Sequence, residues 1–343
     1  MTDRHEPRRF DRRTFLKGAA AGGAIAAVGG LGLRTWAERG ARPWDPKAFP
    51  EPGSARVAVV PAASYDGPLE ATVFEGLRSI GADVAGARVV LKPNIVEYDP
   101  GTAINTDPRL VAATALAMRR LGAASVTVAE GPGHRRDVQD VVARSGFADA
   151  LAAVEVPFVD LNADAMRLVP LRSRYTPLGE LWLPSSVLDA DVVISMPKMK
   201  THHWAGVTLS LKNLFGCLPG RAYGWPKNVL HWAGIQASIL DIAGAVRPGY
   251  AVVDGIVGME GNGPISGTPV PMGVLVFGDD PVATDAVAAT LMGFDPDRVS
   301  YLREAGRFLG QVHVEEIEMR GDAIEPHARA FEPPPGGSAE TVG

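Results

Sequence analysis

The feature that most constrains this chain is a repeat of short Val- and Ile-rich runs, each of strand length, separated in most cases by segments of helical length. The runs are Arg56 to Val60, Arg88 to Lys92, Ser125 to Ala129, Asp191 to Met196, Tyr250 to Val253 and Gly273 to Phe277. Helical spacing fills Pro68 to Ile80, Asp107 to Leu121 and Asp137 to Ala152. Strands that are apolar on both faces and interleaved with helices must bury both faces, which makes the fold α/β with a mainly parallel sheet flanked by helices. Between Val156 and Leu183 the pattern shifts to short strand-like pieces broken by Pro170, Pro177 and Pro184. That segment is either an antiparallel excursion or, from about residue 156, a second lobe across a central crevice. With 343 residues, 46% of them hydrophobic, the chain has enough apolar surface for one large domain or two.

Polar groups gather where these runs end. Val89-Val90-Leu91 runs into Lys92-Pro93-Asn94, Val126-Thr127-Val128 into Glu130-Gly131-Pro132, and Val192-Val193-Ile194 into Pro197-Lys198. Val252-Val253 runs into Asp254-Gly255, and Leu275-Val276-Phe277 into Gly278-Asp279-Asp280. In open parallel sheets ligands bind outside the carboxyl ends of the strands, so five such ends are expected to line one crevice. Ordinary turn chemistry explains the Gly, Pro and Asp residues, but not a lysine inside an apolar strand.

The densest chemistry lies in Pro197 to Gly220, PKMKTHHWAGVTLSLKNLFGCLPG, which holds Lys198, Lys200, Lys212, His202, His203, Thr201, Thr208, Asn213 and the single cysteine. Val207, Leu211, Leu214 and Phe215 follow helical spacing with Gly216 placed to end the helix, and Thr208 and Lys212 share a neighbouring stripe. Adjacent histidines diverge on either kind of element, so one of the pair is expected to serve a site, with His202 preferred. A further helix is expected from Asn228 as N-cap to Pro248, placing His231 in its first turn, where a neutral imidazole is favoured; a satisfied, partly buried histidine fits the same pattern. Asp254 to Gly267 reads as a glycine-rich loop offering oxygens from Asp254, Glu260 and Asn262. It lacks the following helix that a dinucleotide fingerprint requires. Asp280 is an N-cap with Pro281 at the first helical position and Gly293 at the end, and Asp285 inside that helix needs a lysine or a metal as partner.

The termini carry a different message. Arg12-Arg13 with Phe15-Leu16-Lys17, followed by an uncharged run from Gly18 to Leu33, has the arrangement of a twin-arginine export signal. The run is short for a membrane-spanning helix, so residues 1–41 are expected to direct export to the periplasm, with membrane attachment only if the signal is retained. Residues 42–55 read as a linker. A tail over 321–343, Pro/Gly/Ser-rich from Glu332, is expected to be disordered. Outside the first 41 residues the chain has 26 basic and 35 acidic side chains, which disfavours nucleic acid as a partner. A single cysteine excludes an all-cysteine iron–sulfur cluster within one chain.

Together, LKPN (Leu91 to Asn94), NTDP (Asn105 to Pro108), PKMKTHHWAGVTLSLKNLFG (Pro197 to Gly216), VDGIVGMEGNGP (Val253 to Pro264), GDDPVATDAV (Gly278 to Val287) and MGFDP (Met292 to Pro296) resemble the domain-of-unknown-function 362 family. The similarity covers roughly Arg56 to Gly310, within a domain spanning 56–320. Some members of that family look like ferredoxin fusions; the cysteines of such segments are missing here. A more distant likeness of layout is to nickel-pincer lactate racemases. The residues themselves lead to a small anionic substrate, carboxylate or phosphate, in a lysine-rich crevice. Lys92 and Lys200 would neutralise it, Asn94, Thr208 and Asn213 would orient it, and Lys198, Lys212, His202 and His231 are the catalytic candidates. Asp254, Glu260 and Asp285 would hold a divalent metal or pair with the lysines. The same crevice would serve a non-catalytic periplasmic binding or assembly factor.

Overall fold

The structure is a computed structural model that describes residues 42–133 and 137–335. The export signal expected over 1–41 and the last residues of the tail lie outside the described residues.

One ten-stranded sheet forms the centre. Its strands are β1 (Arg56–Pro61), β2 (Arg88–Pro93), β3 (Ser125–Glu130), β4 (Phe158–Asp160), β7 (Val192–Met196), β8 (Lys198–His202), β9 (Gly206–Thr208), β10 (Tyr250–Glu260), β11 (Thr268–Gly278) and β12 (Glu318–Gly321). The remaining two, β5 (Met166–Pro170) and β6 (Glu180–Pro184), form a separate antiparallel hairpin. The order across the main sheet is β12-β1-β11-β10-β7-β2-β3-β4, with β8 on β10 and β9 on β8. Along that path β11 alone runs against its neighbours.

Side-chain alternation divides the core. Val89 and Leu91 point into an apolar layer with helices Leu69–Ser79 and Pro108–Arg120, whereas Val90 points into the layer formed with helices Ile235–Val246 and Pro281–Leu291. Leu171, Leu181 and Leu183 of the hairpin region join that second layer. The 156–184 segment thus supplies a parallel edge strand, β4, and then an antiparallel hairpin packed on the shared core. Caps follow the sequence closely at two helices. Asp107 accepts from the Arg109 N–H ahead of Pro108, and Asp280 accepts from Val282 and Ala283 N–H ahead of Pro281.

Four expectations need correction. First, β11 is antiparallel, so its end at Asp279 and Asp280 lies at the amino end of β1, where Asp279 pairs with Arg56 at 2.7 Å. That end is not part of the crevice. Second, Asp254 to Glu260 continues β10 instead of opening a loop, leaving only 261–267 as the hairpin tip. Third, the helix after Pro226 is two helices, Asn228–Trp232 and Ile235–Val246, separated at Gly234 with φ 99°; Lys227, not Asn228, is the first cap. Fourth, the described parts of both flanking segments are docked. Trp44 stacks on Phe308 with centroids 4.9 Å apart, and Phe331 is buried with its N–H on Met292 O, so apolar anchoring outweighs the proline-rich composition.

Candidate functional site

A cavity of about 490 Å³ opens at the carboxyl ends of β2 and β3. The β8–β9 hairpin forms a second wall: its register sets Lys200 opposite Thr208 and His202 opposite Gly206, and residues two apart on a strand share a face. The tip of the β10–β11 hairpin closes a third side through Asn262, Pro264 and Ser266. That tip is tied down by His203 N–H to Gly263 O and by Thr201 Oγ1 to Gly261 O, at 3.2 and 2.9 Å. Lys212 and Phe215, from the short helix Ser210–Asn213 and the turn after it, complete the lining with Lys227 and His231.

Counting N–H groups separates the lysines, because each ammonium has three to place. Lys92 is fully buried; it pairs with Glu130 at 2.7 Å and donates to Pro93 O and to both oxygens of Asn213. It has no capacity left and does not border the cavity. Glu130 is equally committed, accepting from Ile95 N–H and Gly131 N–H as well. Lys200 donates to Ile104 O and Pro264 O, and Lys227 to Gly131 O and Phe215 O, so each has one N–H left over only while it is protonated. Lys212 differs in kind. Its Nζ has no oxygen acceptor among the described residues and rests 4.1 Å from the Phe215 ring centroid. Loss of hydration, with repulsion from Lys227 and Lys92, lowers its pKa to about 7. Lys227 is likewise lowered to about 7, first by burial, and Lys200 is driven far down by burial and the charges of Lys212 and Lys198.

The imidazoles are held in opposite tautomers. His202 Nδ1 accepts from the N–H of Trp204 and of Ala205 at 3.1 and 3.3 Å, so its proton is on Nε2. His231 Nδ1 is 3.1 Å from Lys227 O and must donate, leaving Nε2 as an acceptor. Burial lowers both pKa values, His202 far below the usual range, and the Lys212 charge adds to each, so both rings are neutral at physiological pH. His203, expected to stand apart, also borders the cavity and donates through Nδ1 to Gly263 O at 2.8 Å. Two oxygens complete the pattern: Asn94 Oδ1 and Thr208 Oγ1 are buried, border the cavity and lack a hydrogen-bond partner among the described residues.

The expected metal ligands do not converge. Asp285 is fully buried and accepts from Ser210 N–H and Leu211 N–H at 2.6 and 2.9 Å, capping the short helix that carries Lys212; burial raises its pKa to about 7. Glu260 accepts from Glu332 N–H, and Asp254 pairs with Lys198 at 2.6 Å while accepting from Tyr65 Oη and Asp107 N–H. Among the described residues no group of three His, Cys, Asp or Glu side chains is placed to hold a metal. Lys198 is thus paired with Asp254 and Tyr65, outside the cavity lining. Asn213 borders the cavity, but its amide is spent on Lys92, Asn94 and Ser195, which makes it a positioning residue.

The motifs that build these walls match a known family over residues 89–290, described as Domain of unknown function (DUF362). The chain belongs to that family. It is 32% identical over 239 residues to the thylakoid-associated protein sll1697 of Synechocystis sp., covering 66% of this chain and 69% of that protein. Among solved structures it is similar to the lactate racemase apoprotein of Thermoanaerobacterium thermosaccharolyticum, with a TM-score of 0.39 and 14% identity over 66% of this chain and 55% of that one. A Thermotoga maritima protein follows at TM-score 0.37 and 12% identity, covering 59% and 52%. The chain spans little more than half the length of these two structures, and neither likeness is strong enough to bear on its chemistry.

Within this DUF362 chain, three groups that matter to the cavity escape sequence reasoning. Lys227 is an isolated lysine beyond the motif, recruited only because the chain turns at φ 68° to reach Gly131 and Phe215. Glu130 stands at a strand end among ordinary turn residues, and nothing local marks it as the partner of Lys92. Gly216 is read as a helix stop, yet a Cβ there would lie 2.0 Å from Glu130 Oε1 and 2.4 Å from Lys92 Nζ. Its role is to let that ion pair sit against the backbone.

Proposed function

We propose that this DUF362 protein is an exported enzyme that takes a small carboxylate or phosphate into the cavity at the ends of β2 and β3. The observation that carries the reading is Lys212: an ammonium with no oxygen acceptor among the described residues, in a largely desolvated wall, needs an anion from outside to complete it. The spare N–H of Lys227 in its protonated form adds positive character, and Asn94 and Thr208 supply unmatched hydrogen-bonding atoms. Opposite tautomers of His202 and His231 give one N–H donor and one base, as proton transfer requires. The twin-arginine pattern at Arg12-Arg13 supports export, and the thylakoid association in the relative's name is in keeping with work at or beyond a membrane. Among the described residues no helix is long and apolar enough to cross one.

Titration calorimetry with inorganic phosphate and with short carboxylates tests the reading. Binding to the wild type that is lost in Lys212→Met is the expected result; equal binding by both proteins contradicts it.

A further inference from the structure

Lys212 is an unusual choice for charge alone. A lysine meant as a permanent cation is best held by oxygens and a counter-charge, as Lys92 is beside Glu130. Lys212 instead faces the ring of Phe215, and burial, followed by the charges of Lys227 and Lys92, favours loss of its proton. An amine kept neutral in an apolar wall is a nucleophile, and the electrophile suited to it is a carbonyl carbon. A base is at hand, since the His231 ring lies 5.6 Å from the same Phe215 ring, centroid to centroid, with Nε2 unprotonated.

We propose that Lys212 forms an imine with the carbonyl carbon of a small 2-oxo or 3-oxo carboxylate, with His231 shuttling the proton. This rests on the anion-binding reading and names the substrate class for it. The Nζ lone pair adds to the carbonyl carbon as the C=O π electrons move to oxygen. His231 Nε2 takes a proton from nitrogen and delivers it to that oxygen, giving the carbinolamine. His231 Nε2 then takes the remaining proton from nitrogen and delivers it to the hydroxyl as the nitrogen electrons close the C=N bond and the C–O bond breaks, which releases one water and leaves the neutral imine. Nothing is oxidised or reduced, and hydrolysis reverses the step. The unspent N–H of Lys227 in its protonated form and the Thr208 hydroxyl are the donors for the carboxylate, and His202 Nε2–H is a donor for the carbonyl oxygen.

The test uses the folded protein incubated at neutral pH with glyoxylate, pyruvate or acetoacetate in the presence of cyanoborohydride, read by intact mass and peptide mapping. A single reduced adduct on Lys212 with at least one of the three is expected. Inorganic phosphate should slow the labelling, the adduct should be absent in Lys212→Arg, and His231→Gln should label more slowly by about tenfold or more. The phosphate competition uses the wild type alone, so it holds even if a variant fails to fold. Adducts scattered over surface lysines, or no adduct at Lys212 from any of the three, overturn the imine. Phosphate binding that depends on Lys212 without trapping removes the imine and keeps the anion site; loss of both removes both.

Discussion

Replacing Lys212 by methionine should stabilise the ligand-free protein, because the ammonium is held there at a cost. Its pKa falls from the ordinary lysine value to about 7, chiefly through loss of hydration. A fall of that size corresponds to about 5 kcal/mol against the charged form. Lys212 keeps part of its surface open to the cavity, and solvent there reduces the figure to about 1–3 kcal/mol. The unfolded chain keeps this proton up to the usual lysine range, whereas the folded chain gives it up near neutrality. The penalty is therefore complete below a pH of about 7 and fades as pH rises toward the unfolded value. Methionine fills similar volume and adds contact with Phe215. Calorimetric melting should place Lys212→Met about 1–4 °C above the wild type at mildly acidic pH, the gap shrinking in alkaline buffer. A variant destabilised equally at both would refute the reasoning, since it would mean that Lys212 is anchored by a partner.

The remaining predictions concern the supports. Lys92→Met strands the Glu130 carboxylate and should cost about 3–5 kcal/mol in denaturant unfolding; a loss under about 1 kcal/mol contradicts a tight buried pair. Gly216→Ala drives a methyl group into the same pair and should lower stability by about 1–3 kcal/mol, with a neutral outcome arguing against the close approach. Asp285→Ala uncaps Ser210 and Leu211 and should cost about 2–4 kcal/mol, while dialysis against a chelator leaves the melting of the wild type unchanged. Chelator-induced destabilisation would restore a metal role to this carboxylate.

Much of this was written locally in the chain. The apolar runs of β2, β3 and β7 need burial on both faces, and caps such as Asp280-Pro281 depend only on neighbouring atoms, so periodicity and short-range chemistry locate them. Thr208 and Lys212, expected on one helical stripe, are instead split between β9 and the helix Ser210–Asn213, and Thr208 meets Lys200 across the β8–β9 hairpin. Strand direction is another matter: β11 is buried between β10 and β1, and a buried antiparallel strand has the same apolar composition as a parallel one. Partner choice is equally silent. Asp285 meets two backbone N–H groups 74 and 75 residues away, and Asp254 meets Lys198, so carboxylates that look like metal ligands are satisfied by contacts only tertiary structure creates. Phe331 and Trp44 show the converse, single large apolar side chains docking segments whose composition otherwise reads as loose.

The central claim is that Lys212 is an unpaired amine awaiting an anion, and its own titration tests that most directly. Carbon-13 NMR of lysine-labelled protein, with Lys212 assigned through Lys212→Met, should show the Lys212 Cε titrating near the value of about 7. Inorganic phosphate should move that midpoint upward, because an anion favours the charged form. A midpoint in the ordinary lysine range, unmoved by phosphate, would contradict the account.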